Sequence, residues 1–122
     1  MNAIKNAINN STTYSSNEII IGTYIDDNNV EHALCRVTVG FTVSANATTY
    51  SKSTNITNLD FVLFQDYSIH RGTDYEEPYY ASGSEYVRLF VRDNSGVTIE
   101  YRSSGLSTSL SVKATITYVK SV

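Results

Sequence analysis

The chain has 122 residues, a single cysteine and a net charge of -3, and these properties exclude several classes of protein. A chain of this length fits one domain and buries roughly two thirds of its unfolded surface, so it needs no disulfide staple. With charges of both signs dispersed, no basic run and no apolar stretch of ~20 residues, neither nucleic-acid binding nor membrane insertion is expected.

The first seventeen residues are predicted to form an N-terminal segment or linker, ahead of one β-domain over residues 18–122. Met1, Ile4 and Ile8 recur at helical spacing, but so short a helix is marginal alone. The segment is therefore either the end of a helical stalk shared between subunits or a frayed, disordered end. It lacks the apolar core of a signal peptide.

The clearest structural signal is a hairpin near the start of the domain. Strands are predicted at Glu18–Ile25 and Val30–Val43, joined by the turn Asp26–Asn29, whose residue types tolerate left-handed geometry. Strict alternation puts one set of residues of the second strand on a single face: Ala33, Cys35, Val37, Val39, Phe41 and Val43. In the first strand, Ile19, Ile21 and Ile25 share a face. Cys35 is interpreted as a small core residue.

The middle of the chain gives weaker patterns. Ser44–Asn58 is predicted as a polar loop that could include an edge strand, and Leu59–Gln65 as a buried strand. Ser68–Ser84 contains Gly and Pro breakers and no clean alternation.

A second hairpin and a final strand follow. Glu85–Arg92 and Val97–Arg102 flank the turn Asp93–Gly96, and Ser109–Lys120 forms the last strand. Val97, Ile99 and Tyr101 are predicted to point inward, whereas Thr98, Glu100 and Arg102 point outward. The predicted core includes Val37, Val39, Val112 and Ile116.

About six to eight strands with short turns and no helical crossover predict an all-β fold, most simply an antiparallel β-sandwich. A jelly roll or a closed barrel is the nearest alternative. The composition agrees, because the chain has 10 Tyr, 4 Phe and no Trp, with a single Pro. Tyrosine favours strands and also surfaces that bind by contact.

No constellation of catalytic residues is recognisable. A nucleophilic triad needs a base, and only His32 and His70 are available. No Ser lies in a nucleophile elbow, and alternation points Cys35 away from His32. The neighbouring acids Asp26-Asp27 and Glu76-Glu77 lack any set separation for glycoside hydrolysis. The turn acids also lack the spacing of a calcium loop. The chain is therefore expected not to be an enzyme and to hold no cofactor or metal.

The most function-like stretch contains three tyrosines and two acids in an irregular segment. Its candidate binding residues are Tyr75, Glu76, Glu77, Tyr79 and Tyr80. Their rings could pack on the sandwich or on a partner subunit. Alternatively, the rings could stack on sugars while the carboxylates accept hydrogen bonds from hydroxyl groups, as at a glycan or protein receptor surface.

The first hairpin also carries a resemblance to a known family. The strand Glu18–Asp26, which reads EIIIGTYID, is followed by Leu34-Cys35-Arg36 and preceded by Tyr14-Ser15-Ser16. This arrangement resembles the C-terminal β-rich modules of tail-fibre and other minor structural proteins of tailed bacteriophages, with Tyr24 where Trp is usual. The closing strand Ala114–Lys120 is similar to the final strand of those modules.

The resemblance implies a non-enzymatic virion structural protein that is assembled in the host cytoplasm. Such a module would be the head domain of a fibre or spike, acting in assembly, host attachment or both. Its partners would be two further copies of itself in a homotrimer, other virion proteins, and a host-surface glycan or protein. The alternative from another class is a bacterial carbohydrate-binding or cell-surface adhesion module.

Overall fold

The computed structural model describes residues 17–122, and every regular element in that range is a β-strand. In chain order the strands are β1 (Ile19–Ile25), β2 (Glu31–Val43), β3 (Thr49–Ser53), β4 (Leu59–Arg71), β5 (Asp74–Glu76), β6 (Tyr80–Ser82), β7 (Glu85–Asp93), β8 (Val97–Ser103) and β9 (Leu110–Lys120). They form a five-stranded sheet, β1-β2-β9-β4-β5, and a four-stranded sheet, β3-β8-β7-β6. The predicted all-β antiparallel sandwich is confirmed. The predicted stalk helix lies outside the described residues.

The first predicted hairpin is confirmed, with Ile25 opposite Glu31 at its closed end. The predicted shared face of Ile19, Ile21 and Ile25 was wrong, because a register shift between Ile20 and Gly22 interrupts the alternation of β1. The Asp26 carboxylate accepts hydrogen bonds from the backbone N–H groups of Asn28 and Val30, at 2.8 and 2.9 Å. Asn29 has a φ of 61°, in the left-handed region that Asn tolerates better than most residues. Turn chemistry thus sets where β1 ends and β2 begins.

The second hairpin, β7-β8, is also confirmed and places Asp93 opposite Val97. Its turn needs two positive φ values, 57° at Ser95 and 132° at Gly96, and glycine adopts the second without a steric penalty.

The chain divides into two compact units. The first contains residues 17–38, Asn55–Gln65 and Thr115–Val122, and the second contains Val39–Thr54 and Asp66–Ala114.

The second unit has two layers. Phe41 on β2 stacks on Tyr50 on β3, with ring centroids 5.2 Å apart and planes inclined by 12°, so side chains of the two sheets meet in its interior. The buried apolar residues of this unit are Val39, Phe41, Val43, Ile69, Val87, Leu89, Val97, Ile99, Tyr101, Leu110, Val112 and Ala114.

The first unit contains a strongly curled part of the five-stranded sheet. Tyr24 on β1 and Phe61 on β4 lie on strands separated by two others, yet their ring centroids are only 5.3 Å apart. The sheet must therefore bend around this aromatic contact. The buried apolar residues of this unit are Ala33, Cys35, Val37, Ile56, Ile116, Tyr118 and Val119.

The predicted core is confirmed at Val37, Val39, Val112 and Ile116, which are all at most 6% exposed. The alternating face of β2 is buried throughout as predicted, Cys35 included. The inward positions of β8 are also confirmed. In residues 17–122 no helix has the length and apolar character needed to cross a membrane.

A second prediction about the strands was wrong. Leu59–Gln65 is not a fully buried strand, because β4 continues to Arg71 and exposes Leu63 and Phe64 by 48% and 60%. Glu100 lies on the outward face of β8 as predicted, although neighbouring side chains cover it to 8% exposure, and Thr98 and Arg102 hydrogen-bond to its carboxylate. The possible edge strand in Ser44–Asn58 is present as β3.

We expect Ile116→Ala to lower the free energy of unfolding by about 2–5 kcal/mol, because it deletes a fully buried side chain and leaves a cavity. Urea denaturation measures the loss. Thr42→Ala, on the exposed face of β2, is the control and should change stability by less than about 0.5 kcal/mol. Equal losses at the two positions would contradict the assignment of the faces.

Candidate functional site

The structure places the candidate residues of segment 75–80 on two different sheets. Tyr75 and Glu76 lie on β5 at the edge of the five-stranded sheet, whereas Tyr80 lies on β6 at the edge of the four-stranded sheet. Glu77 is exposed between them, and the carbonyl of Tyr79 accepts a hydrogen bond from the backbone N–H of Val87 at 2.8 Å. The five residues therefore contribute to two separate surfaces.

Tyr75 forms the first surface together with His70. The two rings stack with centroids 4.5 Å apart and planes inclined by 9°, and Tyr75 is 75% exposed. Ser68, Ser111 and Lys113 complete a shallow recess of about 240 Å³ around the rings. A flat aromatic face beside hydroxyl groups is suited to contact with a sugar or a peptide.

Glu76 has a structural partner. Its carboxylate accepts a hydrogen bond from the Arg71 guanidinium at 2.9 Å across the β4-β5 hairpin. The pair holds the pKa of Arg71 above its ordinary value, first through this hydrogen bond. Because both side chains are about one-third exposed, such a pair contributes little to stability. It orients the strand that presents Tyr75.

The second surface, which we call the arginine face, consists of Tyr80, Tyr86, Arg88, Phe90, Arg92 and Arg102 on the outer side of the four-stranded sheet. Three guanidinium groups surround the Phe90 ring. The guanidinium carbons of Arg88, Arg92 and Arg102 lie 4.3, 5.5 and 5.9 Å from its centroid. All three distances are within the range of cation–π attraction.

An open cleft of about 510 Å³ crosses the arginine face. Tyr80, Gly83, Tyr86, Arg88 and Arg102 line it. The two tyrosine rings have centroids 5.6 Å apart, and Tyr80 is 71% exposed. A depression of about 530 Å³ on the other side of Tyr80 and Arg88 is lined in addition by Pro78, Tyr79, Val87 and Leu89.

The charges of the arginine face are only partly compensated. Arg88 lies directly opposite Arg102 in the β7-β8 register. Glu100 approaches Arg102 at 3.4 Å, but within residues 17–122 neither Arg88 nor Arg92 has a carboxylate within ion-pair distance. The pKa of Glu100 is lowered, first by a hydrogen bond from Ser51 and further by Thr98 and Arg102.

Sequence reasoning missed this surface as a site. Alternation placed Arg88, Phe90 and Arg92 on the outward face of one strand and Arg102 on that of another. Their convergence depends on the register between β7 and β8. The available signal was Arg88 and Arg92 at alternate positions on either side of Phe90, with Arg102 on the strand that follows a short turn.

A buried histidine links three parts of the first unit. His32 is 7% exposed, and its Nδ1 lies 2.7 Å from the Lys120 carbonyl while its Nε2 lies 2.8 Å from Asp26 Oδ2. Because both ring nitrogens face acceptors, both donate, as an imidazolium does. The hydrogen bond to Asp26 is the main reason that the pKa of His32 is raised, and Asp60 adds to it.

A buried ion pair lies nearby in the same unit. The Lys120 ammonium donates to the Glu18 carboxylate at 2.9 Å, and both side chains are fully buried. The Tyr118 hydroxyl also donates to Glu18, and Lys120 reaches Thr57 Oγ1 at 3.3 Å. This cluster was not predicted, because nothing local in the sequence indicates that Lys120 is buried.

These buried groups do not form a recognisable catalytic centre. Burial raises the pKa of the Cys35 thiol to about 11, so it is a poor nucleophile at neutral pH. In the part of the chain that the structure describes, no group of three or more His, Cys, Asp or Glu side chains is arranged to hold a metal ion.

We expect stability to decrease as the pH rises above about 6.5, the ordinary pKa of histidine. The fold favours protonated His32, so its contribution is fully present below that pH and is lost as the pH passes the raised folded-state pKa. The pKa of Asp26 is lowered, first by His32, so its contribution is fully present above about pH 4, the ordinary pKa of aspartate, and is lost as the pH falls through the lowered folded-state pKa. Measuring the free energy of unfolding by urea denaturation between pH 3 and pH 9 tests both the acid and the alkaline loss of stability.

His32→Gln should remove most of the loss of stability above about pH 6.5. His70→Gln, which replaces an exposed histidine that forms no hydrogen bond with Asp26 or Lys120, is the control variant. An unchanged alkaline loss of stability in His32→Gln would contradict this account.

We expect Lys120→Met to destabilise the protein by about 3–5 kcal/mol, because it leaves the buried Glu18 carboxylate without its cation. The double variant Glu18→Leu with Lys120→Met should recover much of that loss. Chemical denaturation of Glu18→Leu, Lys120→Met and the double variant gives the free energies of a double-mutant cycle. Strictly additive losses would show that the pair is not coupled.

No family model matches the chain, and no curated protein or solved structure is similar to it.

Proposed function

We propose that the protein is a non-enzymatic structural subunit of a bacteriophage virion, the head domain of a fibre or spike that assembles as a homotrimer and contacts the host surface. The observation that carries the proposal is the exposure of large apolar side chains on two strands of the first unit. Phe64 and Leu63 on β4 are 60% and 48% exposed, and Ile19 and Ile25 on β1 are 58% and 51% exposed.

Both strands have an edge that is open to pairing. β1 is the last strand on its side of the five-stranded sheet. On the other side, β5 pairs only with Ile69, His70 and Arg71 of β4, so it does not cover Leu63 or Phe64. Proteins normally protect exposed apolar edges, because such edges pair with other chains. A second copy of this chain is the occupant we propose, in an interface above about 1,000 Å².

The hairpin that carries the resemblance to phage fibre modules has a structural role here. Gly22 faces Leu34, Asp26 caps the turn and bonds His32, and Tyr24 packs on Phe61. These residues build the fold and supply no reactive group. Their roles agree with a module whose function is assembly and contact.

Attachment is supported by the exposed tyrosines. Tyr75 and Tyr80 are 75% and 71% exposed, and each has an aromatic neighbour that orients its ring. The same rings favour the second candidate function, a bacterial carbohydrate-binding or adhesion module that acts as a monomer. The oligomeric state distinguishes the two candidates.

Sedimentation equilibrium at tens of micromolar should give the mass of a trimer, and Leu63→Ser with Phe64→Ser should shift it toward the monomer by removing apolar contact area. Tyr75→Ser with Tyr80→Ser is the matched control: it also replaces two large exposed side chains with serine, but should leave the trimer intact and reduce binding to host cells. A monomeric unmodified protein would contradict the fibre proposal, and a monomer with affinity for neutral sugars would favour the alternative.

A further inference from the structure

We propose that the arginine face binds a carboxylate-bearing saccharide, with the cleft between Tyr80, Tyr86, Arg88 and Arg102 as the site. This inference names the ligand class for the attachment role proposed above and rests on that role. Charge, aromatic surface and hydrogen-bond donors converge at this cleft on one side of the four-stranded sheet.

The charge arrangement indicates an anionic ligand. Arg88 and Arg102 occupy directly opposed positions on neighbouring strands, where like charges repel. The Phe90 ring attracts Arg88, but a neutral ring does not cancel a positive charge. Within residues 17–122, Glu100 lies 3.4 Å from Arg102 and also interacts electrostatically with Arg92, whereas Arg88 has no carboxylate within ion-pair distance. A carboxylate in the cleft would lie between two guanidinium groups. Arg88 can donate two parallel hydrogen bonds to it, whereas Arg102, which already donates to the Tyr101 carbonyl and to Glu100, adds its charge and its remaining N–H groups.

The lining of the cleft indicates a sugar as the carrier of that carboxylate. The rings of Tyr80 and Tyr86 are tilted by 44° to each other and form an apolar wall against which a pyranose face can stack. Gly83 also lines the cleft, and the hydroxyls of its neighbours Ser82 and Ser84 bond to each other at 2.8 Å. Guanidinium groups and aromatic rings together match the carboxylate and the apolar ring face of a uronic-type sugar.

Nucleic acid fits the same surface less well. A phosphate backbone needs a row of cations, and binding strength follows the number of phosphates neutralised. Here Glu100 lies beside Arg102, Glu85 pairs with Ser82 at the edge of the sheet, and the whole chain has a net charge of -3. A single carboxylate seated between Arg88 and Arg102 tolerates these acids better than a phosphate backbone, which must follow a row of cations.

The test uses isothermal titration calorimetry with the full chain and two matched ligands, a galacturonic acid hexamer and its fully methyl-esterified form. Esterification removes the charge and keeps the rings and most hydroxyls. We expect the acid to bind at least about tenfold more tightly than the ester, and its affinity to fall with added salt. Equal binding of acid and ester would overturn the inference, as would binding of neither.

Arg88→Gln should weaken binding of the acid by about tenfold or more, because one charged partner is lost. The same variant should change the urea midpoint only slightly, since the loss of the like-charge repulsion offsets the loss of the cation–π contact with Phe90. Arg36→Gln removes an exposed arginine from β2 and is the control for net charge, with unchanged affinity expected. A loss of affinity in both variants to the same extent would overturn the site assignment.

Two other anionic ligands and a measurement of oligomeric state distinguish failure of this inference from failure of the virion-subunit proposal. Tighter binding of a single-stranded oligonucleotide or of a hexaglutamate peptide than of the galacturonate would overturn the saccharide assignment. Sedimentation of the same samples reports on assembly independently. A trimer that binds none of the probes would overturn this inference and leave the virion-subunit proposal standing. A monomer that binds the acidic sugar through Arg88 would support the site and contradict the fibre setting.

Discussion

Burial of one face of each long strand is the constraint on which the rest of the molecule depends. Along β2, alternate side chains from Ala33 to Val43 are removed from water, and the side chains between them are mostly left outside. The hydrophobic effect is not directional. In a strand, however, side chains alternate between the two faces, so burying one apolar side chain also fixes which face its neighbours two residues away occupy. The proposed binding surfaces consist of side chains on the outer faces of the long strands and on the short edge strands β5 and β6.

Much of the fold follows from this period, because alternation and turn residues are local signals. Both hairpins and the core positions of β2, β8 and β9 could be predicted in this way. The buried Glu18–Lys120 pair could not, because a lysine is buried only when a distant partner compensates its charge. The exposure of Leu63 and Phe64 could not be predicted either, since it depends on where the short strand β5 stops pairing with β4.

The candidate site was predictable in composition but not in arrangement. The tyrosines of segment 75–80 were recognisable from sequence, yet β5 and β6 carry them to different sheets. The convergence of Arg88 and Arg102 is a property of strand register, which residue spacing within one strand does not reveal. Their opposition is a local conflict in an otherwise consistent sheet, and such conflicts are expected where a surface is shaped for a ligand.

The burial of Cys35 has a practical consequence. It is the only cysteine in the chain, it is fully buried, and with a pKa of about 11 only about one thiol in 10,000 is ionised at pH 7. Oxidants and alkylating reagents attack the thiolate, so the native protein should tolerate air without a reducing agent. A cysteine introduced at an exposed position would then be the one thiol that a maleimide dye modifies, which makes the natural sequence a suitable background for fluorescence labelling.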